Sequence, residues 1–250
     1  MRTSYKTPGI VLRRYPLGEA DTIVHLITPE LGKVEAVAKG ARRIKSRLLA
    51  VTQPFVYGEY LLFPGRSLDK MSQGAIITAY RRLREDLDYF AICSYCAELV
   101  DRLLPVAEPA PGVFALLKEL FDYLHSAPKS ELSLVNALAL FRIILVQRIG
   151  YQIDFTRCLY CGRIADLEFF SIKQGGPLCK SCSGQDETAL SVRPAVCQAL
   201  AKLPSLGWPK LGILKLETYL PEIEKLLDDF YLYHLEIEPR STEFLYSLRS

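Results

Sequence analysis

Short segments of alternating or β-branched residues fill the first 80 positions of the chain. They cover residues 9–15, 22–28, 34–38, 55–63 and 74–80. Turn residues separate them, with Pro29 and Gly32 after the second segment and Pro64-Gly65 before the last. The pattern predicts five β-strands. Five short strands in so few residues are typical of a five-stranded OB-fold β-barrel, whose faces and loops bind single strands of nucleic acid.

After position 80 the period of the hydrophobic pattern changes to that of a helix. Apolar residues recur at helical spacing over residues 87–104, 113–125, 132–149, 192–203 and 221–233. Gly150 stands where the third of these helices is expected to stop. The sequence therefore predicts an α+β multidomain protein. We place an OB-fold nucleic-acid-binding domain at residues 1–80 and an all-α helical domain at residues 81–250.

Four cysteines interrupt the helical part in two Cys-x-x-Cys pairs. Cys158 pairs with Cys161 and Cys179 with Cys182, and 17 residues separate the two pairs. Each pair turns two thiols towards one centre, and two pairs supply the four thiolates of a closed structural Zn²⁺ site. The sequence therefore predicts one structural zinc ion per chain, in a module inserted at about residues 156–184. A redox dithiol and disulfides are the alternatives.

The cysteine count weakens the disulfide alternative. The chain has seven cysteines, an odd number, and no apolar segment typical of a secretory signal follows its first residues. The most apolar segment, residues 132–146, is too short to span a bilayer. We therefore expect a cytoplasmic protein that does not contact membranes. Cys93, Cys96 and Cys197 lie in helical patterns, and we interpret them as buried free thiols.

Positive charge is concentrated in the first predicted domain. Residues 1–80 have twelve lysines and arginines against six acidic residues, whereas the whole chain has a net charge of +3. The excess lies in Arg13, Arg14, Lys33, Lys39, Arg42, Arg43, Lys45 and Arg47. Five of these cations fall between positions 39 and 47 without an acid, a composition that suits a loop lying along phosphates. The alternative is an ordinary solvated face.

The sequence contains no motif of a known catalytic mechanism. Its three histidines, His25, His125 and His234, are scattered, and nucleophile-elbow, Walker A and dinucleotide-binding glycine motifs are absent. We therefore expect that the protein is not an enzyme. Two other classes are alternatives: a metal-dependent nuclease, which requires clustered carboxylates, and a zinc-ribbon regulator, which requires a polar recognition helix. The helical patterns show no such polar recognition face.

Several elements together resemble the RecO family of bacterial DNA repair and recombination mediators. The resemblance extends over nearly the full length of the chain, in the same order. It is found in residues 9–12, 18–21, 31–43, 53–55 and 98–104, in Gly150-Tyr151, in both cysteine pairs and in residues 240–245.

The resemblance implies a DNA-binding mediator with an N-terminal OB-fold and a structural zinc ion. It implies binding of single- and double-stranded DNA without sequence preference and annealing of complementary strands. It also implies that the protein works with RecR, and in many bacteria RecF, to load RecA onto strands covered by single-stranded DNA-binding protein (SSB), whose C-terminal tail it binds. We expect it at the nucleoid. Lys33, Lys39, Arg42 and Arg43 fall on the family's basic motif, and we expect them to contact DNA; local charge adds Arg13, Arg14, Lys45 and Arg47.

Overall fold

Four antiparallel strand pairings and one parallel pairing close the N-terminal part of the chain into a barrel. The computed structural model describes residues 3–247, except for the side chains of residues 131–133. The barrel strands are β1 Tyr5–Leu17, β2 Asp21–Thr28, β3 Gly32–Ala38, β4 Tyr57–Phe63 and β5 Asp69–Thr78. Their order is β1-β2-β3-β5-β4, with β4 pairing back to β1 and β3 parallel to β5. This is the five-stranded OB-fold that the sequence predicts.

The barrel interior follows from the alternation of apolar residues along each strand. In β3, every second residue from Gly32 to Ala38 is buried. This follows because successive side chains of a strand point to opposite faces of the sheet. The buried set includes Val11, Val24 and Leu26. A short helix, α1 Leu48–Val51, lies between β3 and β4 and adds Val51 to this core.

Three helices follow the barrel and pack with it. They are α2 Arg81–Glu85, α3 Leu87–Leu103 and α4 Pro111–Ser126. Asp86 caps α3, because its carboxylate accepts hydrogen bonds from the backbone N–H groups of Asp88 and Tyr89. Phe55, in the segment between α1 and β4, packs against Phe121 of α4 with ring centroids 5.4 Å apart.

One long apolar helix lies in the core of the next part of the chain. This helix is α5 Glu131–Arg148, and nearly all of its residues from Leu134 to Val146 are buried. A helix that is apolar on all sides belongs in a core. The later elements are the strands β6 Leu167–Ser171, β7 Gly176–Cys179 and β8 Leu190–Ser191, and the helices α6 Pro194–Leu206, α7 Leu220–Leu235 and α8 Ser241–Ser247.

The described chain divides into two compact units. The first runs through Ser126 and includes the segment that begins at Pro239, and the second is Ala127–Glu238. Helices α2–α4 belong to the first unit. The last barrel strand ends at Thr78. The division into domains at residues 1–80 and 81–250 stays a prediction. Residues 1, 2 and 248–250 of those ranges lie outside the described residues.

Candidate nucleic-acid interface and metal centre

Five predicted DNA-contact residues lie together on the segment between β3 and α1, which we call the basic loop (residues 39–47). All five side chains are exposed: Lys39, Arg42, Arg43, Lys45 and Arg47. None of them has an ion-pair partner among the described residues. The basic loop thus presents a group of cations that the protein does not neutralise internally.

Hydrogen bonds to the β1–β2 turn hold the basic loop in place. The backbone N–H of Gly40 donates to the Asp21 carboxylate at 2.7 Å, and that of Arg42 donates to the carbonyl of Ala20 at 2.9 Å. The Arg42 guanidinium also donates to the Gly18 carbonyl at 2.8 Å. Gly40 has a φ of +67°, which a glycine adopts without strain. The loop is therefore a defined structure and not a free tether.

An exposed apolar residue stands in the middle of these cations. Ile44 is 93% exposed, the highest value among the large hydrophobic side chains of the described chain. Sequence reasoning missed Ile44 because it considered only the charges of this segment. The exposure of the Ile44 side chain is what marks it as a candidate contact residue, and the exposure of a single residue can be seen only in the structure.

The upstream arginines lie on β1, apart from the basic loop. The Arg13 guanidinium is 3.6 Å from the Glu98 carboxylate and 5.3 Å from the centroid of the Tyr15 ring. Arg14 is partly buried, and its Nη1 has no hydrogen-bond partner in the described part of the protein. Both arginines line a pocket at the side of the barrel.

Lys33 differs from the other predicted contacts. Its ammonium donates to the carbonyl of Asp101 at 2.5 Å and lies 3.7 Å from the Asp101 carboxylate. The side chain is only 11% exposed. His25 approaches the same carboxylate at 2.7 Å. The Lys33 side chain thus connects β3 with α3, which leaves its ammonium little accessible to a phosphate.

The four cysteines of the two pairs meet at one point in the second unit. Their sulfur atoms all lie within 4.8 Å of one another, and those of Cys161 and Cys179 are 3.7 Å apart. The hairpin of β6 and β7 ends at Cys179, and the 3₁₀ helix Lys180–Gln185 presents Cys182. Gly175 turns the hairpin with a φ of +70°, at a place where a Cβ would approach the Gln152 carbonyl oxygen to 2.3 Å. Gly176 and Pro177 are the first two residues of β7.

The spacing of the sulfurs fits a tetrahedral zinc ion. Four sulfurs each at about 2.3 Å from a central ion are about 3.8 Å from one another. The observed 3.7 Å between two of them matches this value, and a disulfide would require about 2.05 Å. None of these four cysteines forms a disulfide. The donor set therefore fits Zn²⁺ and leaves no position for water or substrate.

The backbone around Cys158 favours its thiolate. Desolvation raises the pKa of the Cys158 thiol, but backbone N–H groups of Cys161, Cys179 and Tyr160 outweigh that effect and lower the pKa to about 6. A metal binds the thiolate and not the thiol. The cysteines outside this cluster differ, because Cys93, Cys96 and Cys197 are buried on helices, as predicted.

Comparisons with known proteins match both parts of the chain to the same family. A family described as "Recombination protein O N terminal" matches residues 1–80, and one described as "Recombination protein O C terminal" matches residues 84–243. A DNA repair protein RecO from Symbiobacterium thermophilum is 35% identical, with 98% of each chain covered. The RecO proteins of Thermoanaerobacter sp. and Bacillus subtilis are each 30% identical, with 98% of this chain and 98% and 95% of theirs covered. The chain belongs to the RecO family.

Membership of the RecO family gives the chain a role in DNA repair and recombination. It also places the two candidate sites within the matched family regions. The basic loop falls in the N-terminal RecO region and the four cysteines fall in the C-terminal RecO region. Within the residues that the structure describes, no helix has the length and apolar character needed to cross a membrane.

Proposed function

We propose that the chain is a recombination mediator that binds single- and double-stranded DNA without sequence preference and anneals complementary strands. The exposed, unneutralised cations of the basic loop are the observation that supports this proposal most directly. A loop of this kind contacts phosphates, which are the same in every sequence. The proposed contacts are Lys39, Arg42, Arg43, Lys45 and Arg47 of the basic loop, together with Arg13 and Arg14 of β1. Contact of Lys33 with DNA stays a prediction that its pairing with Asp101 does not favour.

Charge neutralisation explains how such a loop promotes annealing. Two complementary strands repel each other through their phosphates, and bound cations lower that repulsion and release condensed counterions. About five phosphate contacts give a slope of roughly −3.5 in log affinity against log salt for a single strand. The affinity for a single strand is then expected to fall about a hundredfold when the salt concentration is raised fourfold.

We propose that the four cysteines bind one structural zinc ion. When bound, the ion connects the turn at Cys158 to the end of the β6–β7 hairpin, and it supplies no chemistry to a substrate. The resemblance to mediators also supports RecR, RecF and the SSB tail as partners in loading RecA. The proposed activity is not enzymatic, and it places the protein at the nucleoid in the cytoplasm.

Strand annealing tests the proposed function. The variant Lys39→Glu/Arg42→Glu/Arg43→Glu reverses three charges of the basic loop, and Lys202→Glu/Lys210→Glu/Lys215→Glu reverses three exposed charges of the second unit. Annealing of two labelled complementary oligonucleotides is measured at several salt concentrations. We expect fast annealing by the wild type that weakens with salt, loss of it in the loop variant, and retention in the matched control.

Two results would contradict the proposed function. A folded wild-type protein that does not accelerate annealing would exclude an annealing mediator. Degradation of the labelled strands in the presence of Mg²⁺ would point instead to a metal-dependent nuclease. Circular dichroism of each variant shows whether lost annealing reflects lost charge or lost fold.

A further inference from the structure

A pocket in the first unit brings together arginines from the two ends of the sequence. Its volume is about 340 Å³, a size typical of small-molecule sites. Arg13 and Arg14 of β1 line it, and so does Arg240, from the segment before α8. We call it the arginine pocket. The resemblance to mediators pointed to the C-terminal segment, but the sequence did not show what Arg240 would meet.

The one carboxylate in the arginine pocket is already fully engaged. Glu98 of α3 accepts hydrogen bonds from the backbone N–H groups of Arg240 and Ser241 at 3.1 Å each. It also lies 3.6 Å from the Arg13 guanidinium. These contacts fix the C-terminal segment against α3 and position Arg240 at the pocket.

Two arginines of the pocket have no anionic partner. Among the described residues, neither Arg14 nor Arg240 forms an ion pair, and Arg14 Nη1 lacks any hydrogen-bond acceptor although it is buried. A buried guanidinium N–H group without an acceptor, such as that of Arg14 Nη1, is energetically unfavourable. With three arginines and one glutamate, the lining has an excess of positive charge. The pocket therefore suits an anion.

The other walls of the pocket are aromatic. Tyr15, Phe55 and Phe90 line it, with the Phe55 and Phe90 rings 5.6 Å apart and the Arg13 guanidinium over the Tyr15 ring. Aromatic rings and guanidinium planes are the surfaces on which unstacked bases pack. An anion with an attached aromatic ring is the chemistry of a nucleotide.

The arginine pocket is also connected to the basic loop. From Arg14, strand β1 continues to the turn whose Gly18 and Ala20 carbonyls hold Arg42. Four residues of strand span about 13 Å. A single strand lying on the basic loop thus extends towards the pocket over a distance of a few nucleotides.

We infer that the arginine pocket binds one nucleotide of a single strand, with its phosphate on Arg14 and Arg240 and its base against Tyr15 and Phe90. This inference rests on the proposed binding of DNA and adds a second contact region to it. The basic loop supplies sequence-independent charge, and the pocket requires an unpaired base. The pocket therefore distinguishes single strands from duplexes.

Binding of a fluorescein-labelled oligothymidylate tests the pocket. We expect Arg14→Gln and Arg240→Gln each to weaken binding about tenfold, because each removes a charged hydrogen-bond donor to phosphate. Each is also expected to reduce the salt slope by about 0.7, which a merely structural defect would not do. Binding of a duplex is expected to change less. Arg14→Lys should restore the salt slope, and Arg81→Gln, an exposed arginine of the same unit, is the control.

Photocrosslinking separates this inference from the proposed function. With 5-iododeoxyuridine in the oligothymidylate, we expect crosslinks at Tyr15 or Phe90. Crosslinks confined to the basic loop, together with wild-type affinity and salt slope in both glutamine variants, would overturn the pocket while leaving DNA binding intact. Failure of the wild type to bind the oligonucleotide would overturn both the proposed function and the inference.

Discussion

At the scale of single residues, Ile44 shows that the basic loop offers more than charge. A 93%-exposed isoleucine adds nothing to the packing of the folded protein, so Ile44→Ser should change its stability by less than about 0.5 kcal/mol. If the neighbouring cations contact phosphates as proposed, we expect this side chain to reach the bases, where apolar residues can insert between base steps. We therefore expect Ile44→Ser to bind single-stranded DNA roughly tenfold more weakly, as measured by fluorescence anisotropy. Ile213→Ser, an exposed isoleucine of the second unit, is the control, and equal affinities would contradict the prediction.

Glu98 should make the attachment of the C-terminal segment sensitive to acid. Desolvation raises the pKa of Glu98, but hydrogen bonds from Ser241 and Arg240 and the charge of Arg13 outweigh it, so the pKa lies below its ordinary value of 4.5. A lowered pKa in the folded state means that the stabilisation is complete above the ordinary value and is lost as the pH falls through the folded one. Glu98→Gln should therefore lower the free energy of unfolding by about 2 kcal/mol at neutral pH, and the difference should shrink in acid. Urea unfolding over this pH range checks it, with the exposed Glu30→Gln as control; a pH-independent difference would contradict it.

At the scale of elements, an ion pair connects two helices of the second unit, from a buried arginine on α5 to an aspartate on α7 whose side chain is 36% exposed. Arg142 is 1% exposed, its guanidinium is 2.6 Å from the Asp228 carboxylate of α7, and it lies 5.0 Å from the Tyr231 ring centroid. Arg142→Ala leaves that carboxylate without its cation and creates a cavity, so we expect a loss of roughly 3 kcal/mol in the free energy of unfolding. Arg148→Ala, on the same helix but exposed, should cost less than about 0.5 kcal/mol. Similar losses in the two variants by urea unfolding would contradict this role of Arg142.

The segment at about residues 156–184 that holds the proposed zinc site, which we call the zinc module, should be needed for stability and not for DNA binding. Metal affinity becomes folding free energy where the ligands are brought together by folding, so Cys158→Ser should abolish zinc binding and lower the melting temperature by about 10 °C. Metal analysis should find one zinc ion per wild-type chain. Ser181→Ala, an exposed position between Cys179 and Cys182, should keep both metal and stability. A folded, metal-free Cys158→Ser protein that no longer binds DNA would show that the module has a direct role.

Elements with a long, regular pattern were predictable, and short ones were not. The apolar period predicted α3, which extends from Leu87 to Leu103, to within one residue, because a helix of that length repeats its pattern several times. Strand β8 has two residues and α8 has seven, so neither repeats a pattern often enough to be recognised. The cysteine cluster was predictable because two Cys-x-x-Cys pairs have the spacing typical of a structural zinc site.

At the scale of the whole molecule, proximity between distant residues could not be read from sequence. The pairing of Lys33 with Asp101 and the meeting of Arg14 with Arg240 depend on how α3 and the C-terminal segment pack against the barrel. No local pattern encodes such contacts. For the same reason, the sequence did not show that the segment from Pro239 on is grouped with the first compact unit.

This return of the chain to the first unit predicts where a C-terminal truncation acts. Within the described residues, Leu245 is buried, Phe244 packs against Phe90, and Glu98 binds the backbone at Arg240. Deleting residues 239–250 uncovers α3 and leaves the Glu98 carboxylate, only 5% exposed, without its two backbone donors. We therefore expect faster amide hydrogen exchange in α3 and β1, and unchanged exchange in the zinc module, when the deletion variant is compared with the full chain by mass spectrometry. The full-length variant Glu98→Gln should show the same pattern more weakly. Faster exchange mainly in Ala127–Glu238 would contradict the assignment of the C-terminal segment to the N-terminal unit.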